Sequence, residues 1–290
     1  MKKSFIILII SILYIQNISA QSAWTREKGS FYGKVGFYNV SGSEYYQTDG
    51  KPVVSSTTPN TFTQQAFTIY GEYGITKNIN AIVNFPVLKF NKYNVTETVA
   101  GIGNPQIEFK FAILKKIPVV AFSVGAEIPF ANQTNFAYYK ETNPILGIKE
   151  YINLPAGTPD FNYWGTISVS SGLGSVPGWV STFFQYNVRT QNFSDRIKYG
   201  FEVGYKWSPK FWTNLRLVSL TNGKDKENTP VGGIINGQRT EFGSLGVGAA
   251  YEVAKHWSVT LDYQTFANFL VQPKNVYAAP FFQVGVSAEF

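Results

Sequence analysis

The sequence predicts an all-β fold: a transmembrane antiparallel β-barrel of about 12 strands, with short turns at one end and longer loops at the other. Three observations predict it. Hydrophobicity has period two from Ser30 onward, the connections alternate between short and long, and the last strand ends on a bulky aromatic. No stretch after the first 20 residues approaches the ~20 apolar residues of a membrane helix.

The period-two segments run Ser30–Val40, Phe62–Tyr73, Asn78–Leu88, Asn104–Leu114, Pro118–Pro129 and Phe161–Ser171. They continue with Trp179–Thr190, Ile197–Trp207, Phe211–Leu220, Thr240–Val253, Trp257–Ala267 and Ala279–Phe290. Ile107, Phe109, Phe111 and Ile113 alternate with Gln106, Glu108 and Lys110; Tyr199, Phe201, Val203 and Tyr205 alternate with Lys198, Glu202 and Lys206. Side chains on a strand point to opposite faces in turn, so each segment has one apolar and one polar face.

The connections at 74–77, 115–117, 172–178, 208–210 and 254–256 are short. Those near 41–61, 89–103, 130–160, 191–196, 222–239 and 268–278 are longer. Short and long alternate strictly, the pattern of periplasmic turns and outer loops; a secreted β-sandwich predicts no such relation. The terminal strand sets Phe282, Val284, Val286, Ala288 and Phe290 on one face and Gln283, Gly285, Ser287 and Glu289 on the other. It is expected to pair with Ser30–Val40, and Phe290 to serve as the C-terminal assembly signal met by the barrel-assembly machinery.

Composition agrees. The chain has 290 residues, 17% aromatic and only 15% charged, against roughly a quarter charged in an average soluble domain. It has no Cys and one His, which excludes disulfides, thiolate metal sites, a cysteine nucleophile and multi-histidine metal centres. The net charge of +7 forms no stripe beyond Lys115-Lys116, so no nucleic-acid partner is expected. Residues 1–20 join Lys2-Lys3, an apolar run from Phe5 to Tyr14 and a small-residue end at Ala20, a secretory signal pointing to a Gram-negative outer membrane. Residues 21–29 form a polar lead-in, expected to be a frayed tail rather than a plug in the lumen.

With the apolar face turned to outer-membrane lipid, the lumen receives Lys34, Glu72, Glu108, Lys110, Glu127, Arg189, Lys198, Glu202, Lys206, Arg216, Glu241, Glu252, Asp262 and Glu289. If Trp207 and Phe211 close a turn around Pro209, Glu202 stands opposite Arg216. That pair reads either as a static strut or as part of a charged constriction that screens solutes. Trp179, Trp207, Trp212 and Trp257 flank short turns and are expected to form the periplasmic aromatic girdle. Catalysis is not expected: His256 falls in a short turn, away from any hydroxyl nucleophile, and the lumenal acids are spread round the wall. No metal or cofactor is expected.

Tyr73-Gly74-Ile75-Thr76, Ala81–Pro86 and Gly101-Ile102-Gly103-Asn104 through Lys110 are similar to the MetA-pathway phenol-degradation family, assigned to outer-membrane transport. Gly101 and Gly103 match that family's strand opening, and Lys110 falls where its inward lysine lies; Asn104 stands where its members carry Asp. The resemblance implies a channel or transporter for small aromatic or hydrophobic compounds. A barrel of this size leaves a narrow lumen once side chains fill it. The alternative is a non-conducting barrel whose outer loops bind a ligand or partner, with the 130–160 loop (Phe136, Tyr138, Tyr139, Tyr151) as the candidate surface.

Overall fold

The computed structural model describes residues 22–53, 61–224 and 239–290. Residues 1–20, expected from sequence to be a secretory signal, and parts of the 41–61 and 222–239 connections lie outside the described residues. Twelve strands form the wall: β1 Phe31–Gly42, β2 Phe62–Thr76, β3 Ile79–Tyr93, β4 Gln106–Leu114, β5 Val119–Glu127 and β6 Asn162–Gly172, then β7 Gly178–Arg189, β8 Arg196–Ser208, β9 Phe211–Asn222, β10 Phe242–Ala254, β11 Trp257–Phe266 and β12 Phe281–Glu289. Each pairs antiparallel with its chain neighbours, and β1 also pairs with β12, from Tyr32 opposite Glu289 to Val40 opposite Phe281. The sheet is therefore closed and has no free edge.

Closure fixes two surfaces. Outward positions carry Val35, Ile69, Phe109, Ile167, Phe184, Phe201, Leu261 and Phe282, all exposed, as on the exterior of an outer-membrane barrel. Inward positions carry Lys110, Thr166, Glu202, Asn214 and Asp262, all buried. The alternation expected from sequence is followed along every strand, apart from register shifts beside the short turns at Gly74/Thr76, Ala112/Leu114, Lys206/Ser208 and Glu252/Ala254 and one mid-strand departure on β3. There Phe67 pairs with Leu88 and Thr68 with Pro86, so Val87 is an extra residue. Proline has no N–H to give the ladder and is tolerated at such a bulge. Past the bulge the faces exchange: Val83 is outward before it and Leu88 after it, and Asn91 and Tyr93 are buried. This carries β3 to Tyr93, beyond the Leu88 expected from an unbroken period.

The outer connections are partly ordered. The 128–161 connection forms a hairpin of Phe136–Tyr138 with Tyr151–Asn153. Its inward side is buried: Ala137 and Leu154 join Phe62 of β2 and Tyr93 of β3 in an apolar cluster, against which Tyr277 packs from the last outer connection. Its tip projects, with Ile145 90% exposed.

Candidate functional site in the barrel lumen

The lumen holds a cavity of about 650 Å³. Along β1, β2, β11 and β12 its wall carries two ion-pair groups. In the first, Glu72 receives Arg26 Nε at 3.0 Å and the Tyr70 hydroxyl, while Arg26 Nη1 reaches Glu289 at 2.9 Å. In the second, Asp262 receives Lys34 Nζ at 3.0 Å and is also paired with Arg216. Opposed charges held partly out of water attract more strongly than fully exposed pairs, and extra hydrogen bonds offset the cost of their partial desolvation.

The Glu202–Arg216 register expected from sequence is present, but the two do not bond. Trp179 Nε1 and Asn214 Nδ2 donate to Glu202 at 2.8 and 3.0 Å. Arg216 instead reaches Asp262 across β10, whose intervening inward residues are Gly246 and Gly248. A side chain at Gly248 would collide with Asn214 Oδ1 and press on Asp262 Oδ1, 2.2 and 3.0 Å from where its Cβ would stand. Bare backbone on one strand is thus what lets two charges meet over it.

The β4–β8 wall is built from rings lying on glycines. The Trp164 indole covers Gly125, and its N–H donates to Glu108 at 2.8 Å; Trp179 covers Gly204. Phe183 covers Gly200, and Lys198 Nζ stands 5.7 Å from its ring centroid. Ideal Cβ atoms at these glycines would stand 1.9–2.6 Å from the rings, so no other residue fits there. Trp164 lines the cavity. Higher up, Glu127 accepts from Gln106 at 2.8 Å and from Asn104 at 3.1 Å, and Asn104 also donates to Thr158 O and accepts from Ala131 N. Asn104 therefore ties Glu127 to both ends of the long outer connection. An aspartate here would set two carboxylates together with nothing to donate, which accounts for Asn at this position.

The periplasmic end is occupied by the lead-in. Ser22, Ala23 and Arg26 are buried, not frayed. Ala23 N donates to Ser170 Oγ of β6 at 2.9 Å, and Arg26 N to Asn80 Oδ1 of β3 at 3.1 Å, so the segment crosses the mouth. The chain leaves β2 no room for a side chain at Gly74, where a Cβ would stand 2.0 Å from Glu27 O.

Neither a family model nor a curated protein sequence matches the chain. Among solved structures it is similar to an outer membrane channel from Pseudomonas putida F1, at TM-score 0.62 and 12% identity over 94% of this chain and 100% of that one. It is also similar to the translocator domain of autotransporter NalP from Neisseria meningitidis, at TM-score 0.55 and 12% identity over 90% of this chain and 89% of that one. The fold is that of an outer-membrane channel. In outer-membrane barrels of this fold the short turns lie on the periplasmic side.

Within this channel fold the expected residues divide. Lys34, Glu72, Glu108, Glu127, Arg216 and Asp262 line one cavity. Lys110 is inward but buried, 1% exposed, and does not line it. Arg189 forms a bidentate pair with Asp160 of the outer connection, at 2.7 and 2.9 Å, above the cavity. Lys206 is opposite Trp212 at the periplasmic end. The four-tryptophan girdle needs correction. Trp207 and Trp257 are exposed on the outside, where Tyr205 and Phe290 stack edge-on against them. Trp179 is buried in the lumen and Trp212 lines the cavity. Parity decides this: Val180 and Phe184 point outward on β7, so Trp179 points in; Leu215 and Leu217 point outward on β9, so Trp212 points in. Arg26 and Trp164 were not singled out from sequence, and Asn104 only as the residue that stands where the resembled family carries Asp. The signal for Trp164 was its even position on a strand whose odd positions face out.

Proposed function

We propose that this protein is a narrow channel for small solutes that carry a flat ring. The observation that carries the reading is the polar cavity of about 650 Å³, with the Trp164 indole held flat in its wall and its N–H already satisfied by Glu108. A flat aromatic surface in a wet lumen favours stacking partners, and each polar group fixed around it sets orientation. The resemblance of Tyr73–Thr76 and Gly101–Lys110 to the phenol-degradation family points the same way, to aromatic solutes. The charged groups Lys34, Glu72, Glu108, Glu127, Arg216 and Asp262 would form the constriction, with Glu202 buried behind them. Phe290, at the periplasmic rim, would be the residue through which the terminal strand meets the barrel-assembly machinery.

The test is conductance and solute flux through the refolded protein in planar bilayers and liposomes. Flux of a small phenol should exceed that of an aliphatic alcohol of equal size, and Trp164→Leu should abolish the difference. Equal fluxes in the native protein would remove the ring from the reading, and no conductance with residues 132–158 either present or deleted would remove the channel.

A second reading, a surface barrel that binds a partner, is favoured by the exposed Ile145, Leu146 and Ile148 at the tip of the long outer connection. It requires that the native chain pass no ions.

A further inference from the structure

The wall beneath the lead-in is unlike a filled core. Under Ser22–Arg26 the inward face carries Ala121 on β5, Ser168 and Ser170 on β6, and Ser181 on β7, all buried. Ser123 and Thr166 continue the row further into the lumen, also buried. A barrel filled for good at this width uses large inward side chains. Here short hydroxyl side chains leave a groove, and a removable stretch of backbone fills it. Without that stretch the groove would run from the cavity to the mouth as a lane, a row of hydroxyls bordered by Val119 and Ala121.

The lane contains a charge with no present use. Lys110 is opposite Ser123 on one side and Asn80 on the other. Its Nζ is buried and has no hydrogen-bond partner among the described residues, and Asn80 Nδ2 beside it has none among them either, although Asn80 Oδ1 holds Arg26 N. An ammonium kept from water with no partner is costly, and the cost is relieved when water or an anion reaches it. The lead-in is held by a small apolar contact, Ala23 and Trp24 against Val119 and Ala121, by Arg26 over the Tyr32 ring, and by polar contacts: Ala23 to Ser170, Arg26 N to Asn80, and the Arg26 guanidinium to Glu72 and Glu289.

We propose that residues 22–29 are a displaceable plug latched by Arg26, and that its withdrawal opens an exit lane along β4–β7 in which Lys110 is the charge that selects the permeating solute, favouring anions. This rests on the channel reading and adds to it the gate and the selecting residue. In the latched state Lys110 is covered and selection is left to the cavity; in the open state each solute passes it.

The chain has no cysteine, so one introduced thiol reports alone. Ser168→Cys is placed in the protein in liposomes and exposed to a membrane-impermeant, negatively charged thiosulfonate. Modification should be slow in the latched protein and at least about tenfold faster with Arg26→Ala, because removing one partner of a buried charge pair biases local opening. Deleting residues 22–28 is the second route to the same state if the point variant fails to fold. Asn187→Cys, in the cavity above the lane, should react at one rate in all backgrounds. Equal rates at position 168 with and without the latch would overturn the plug. In the unlatched background Lys110→Met should move the reversal potential toward cations and Lys110→Arg should not; in the latched protein Lys110→Met should change little. A Lys110→Met shift of the same size in both backgrounds, or in neither, would overturn the selecting role. A faster thiol reaction with no ion current in either background would sink the channel reading and leave the plug standing.

Discussion

At the outer mouth the barrel is closed by rings, at the periplasmic mouth by charges and hydroxyls. The outer closure packs Phe62, Tyr93 and Tyr277 at centroid separations of 5.6–6.2 Å, with Ala137 and Leu154 buried among them. The periplasmic closure lays backbone on Ser170 and Ser181 and fastens it with Arg26. Apolar burial costs roughly 25 cal/mol for each Å² returned to water, and water offers those rings nothing in exchange. At the periplasmic end the apolar contact is small, Ala23 and Trp24 on Val119 and Ala121, and the hydroxyls and amides freed by the lead-in bond to water, so the net loss is smaller. The two ends therefore have unlike costs of opening.

Two deletions separate them most strongly. Two constrictions in series pass current as the narrower allows. Deleting residues 22–28 should raise single-channel conductance several-fold. Deleting 132–158 alone should raise it little, because the periplasmic restriction remains. The reverse order would mean that the outer connection is the limiting gate. A double deletion should exceed both.

Stability should rank the other way. Leu154→Ala and Tyr93→Ala each remove a buried side chain from a cluster that cannot collapse onto water, and each should cost about 2–5 kcal/mol. Arg26→Ala leaves Glu72 beside Glu289, but the lead-in can then withdraw and water can reach both acids. Its cost should fall well below the ~3–5 kcal/mol of a pair broken in a dry interior. Thermal unfolding followed by heat-modifiable migration compares the three, and an Arg26→Ala protein less stable than Leu154→Ala would show that the plug cannot leave.

The twelve strands, their two faces and the alternation of turns were legible because each is a local rule applied twelve times. The Glu202–Arg216 register was legible for the same reason: it needs only a turn and a count. What failed needed contacts distant in sequence. Arg26 meets Glu289 across 263 positions, and no period in residues 21–29 foretells it. Arg216 chose Asp262 because Glu202 was already held by Trp179 and Asn214 and because β10 is bare between them. Trp179 and Trp212 were misassigned although the count was available; nearness to a turn was allowed to outweigh parity. Pro86 marked the β3 bulge in plain sight, but only the partner strand shows which residue is extra.

Asn104 tests the outer end from a polar side. Asn104→Asp would replace the donor to Glu127 and Thr158 O by a second acid, and leaving buried acceptors unmatched costs about 1–3 kcal/mol. The base of the long connection should loosen, read as faster hydrogen exchange at Ala131 and Thr158, while Asn104→Gln should recover less than half of the protection. Unchanged exchange in Asn104→Asp would mean that the Phe62–Tyr93 cluster alone holds the connection.

The smallest effect is expected at Arg216, in the cavity between the two closures. Arg216→Ala leaves Asp262 paired to Lys34 and removes one positive charge from the lumen. The reversal potential in a salt gradient should therefore shift toward cations, by less than Lys110→Met shifts it in the unlatched protein, because Asp262 keeps a partner and the cavity is wider than the lane. Arg216→Lys should sit between the two, since an ammonium carries the charge but lacks the fork that reaches over Gly246 and Gly248. If Arg216→Ala leaves selectivity unmoved while Lys34→Met moves it, the lysine is the working charge of the pair and the arginine serves as a strut across β10.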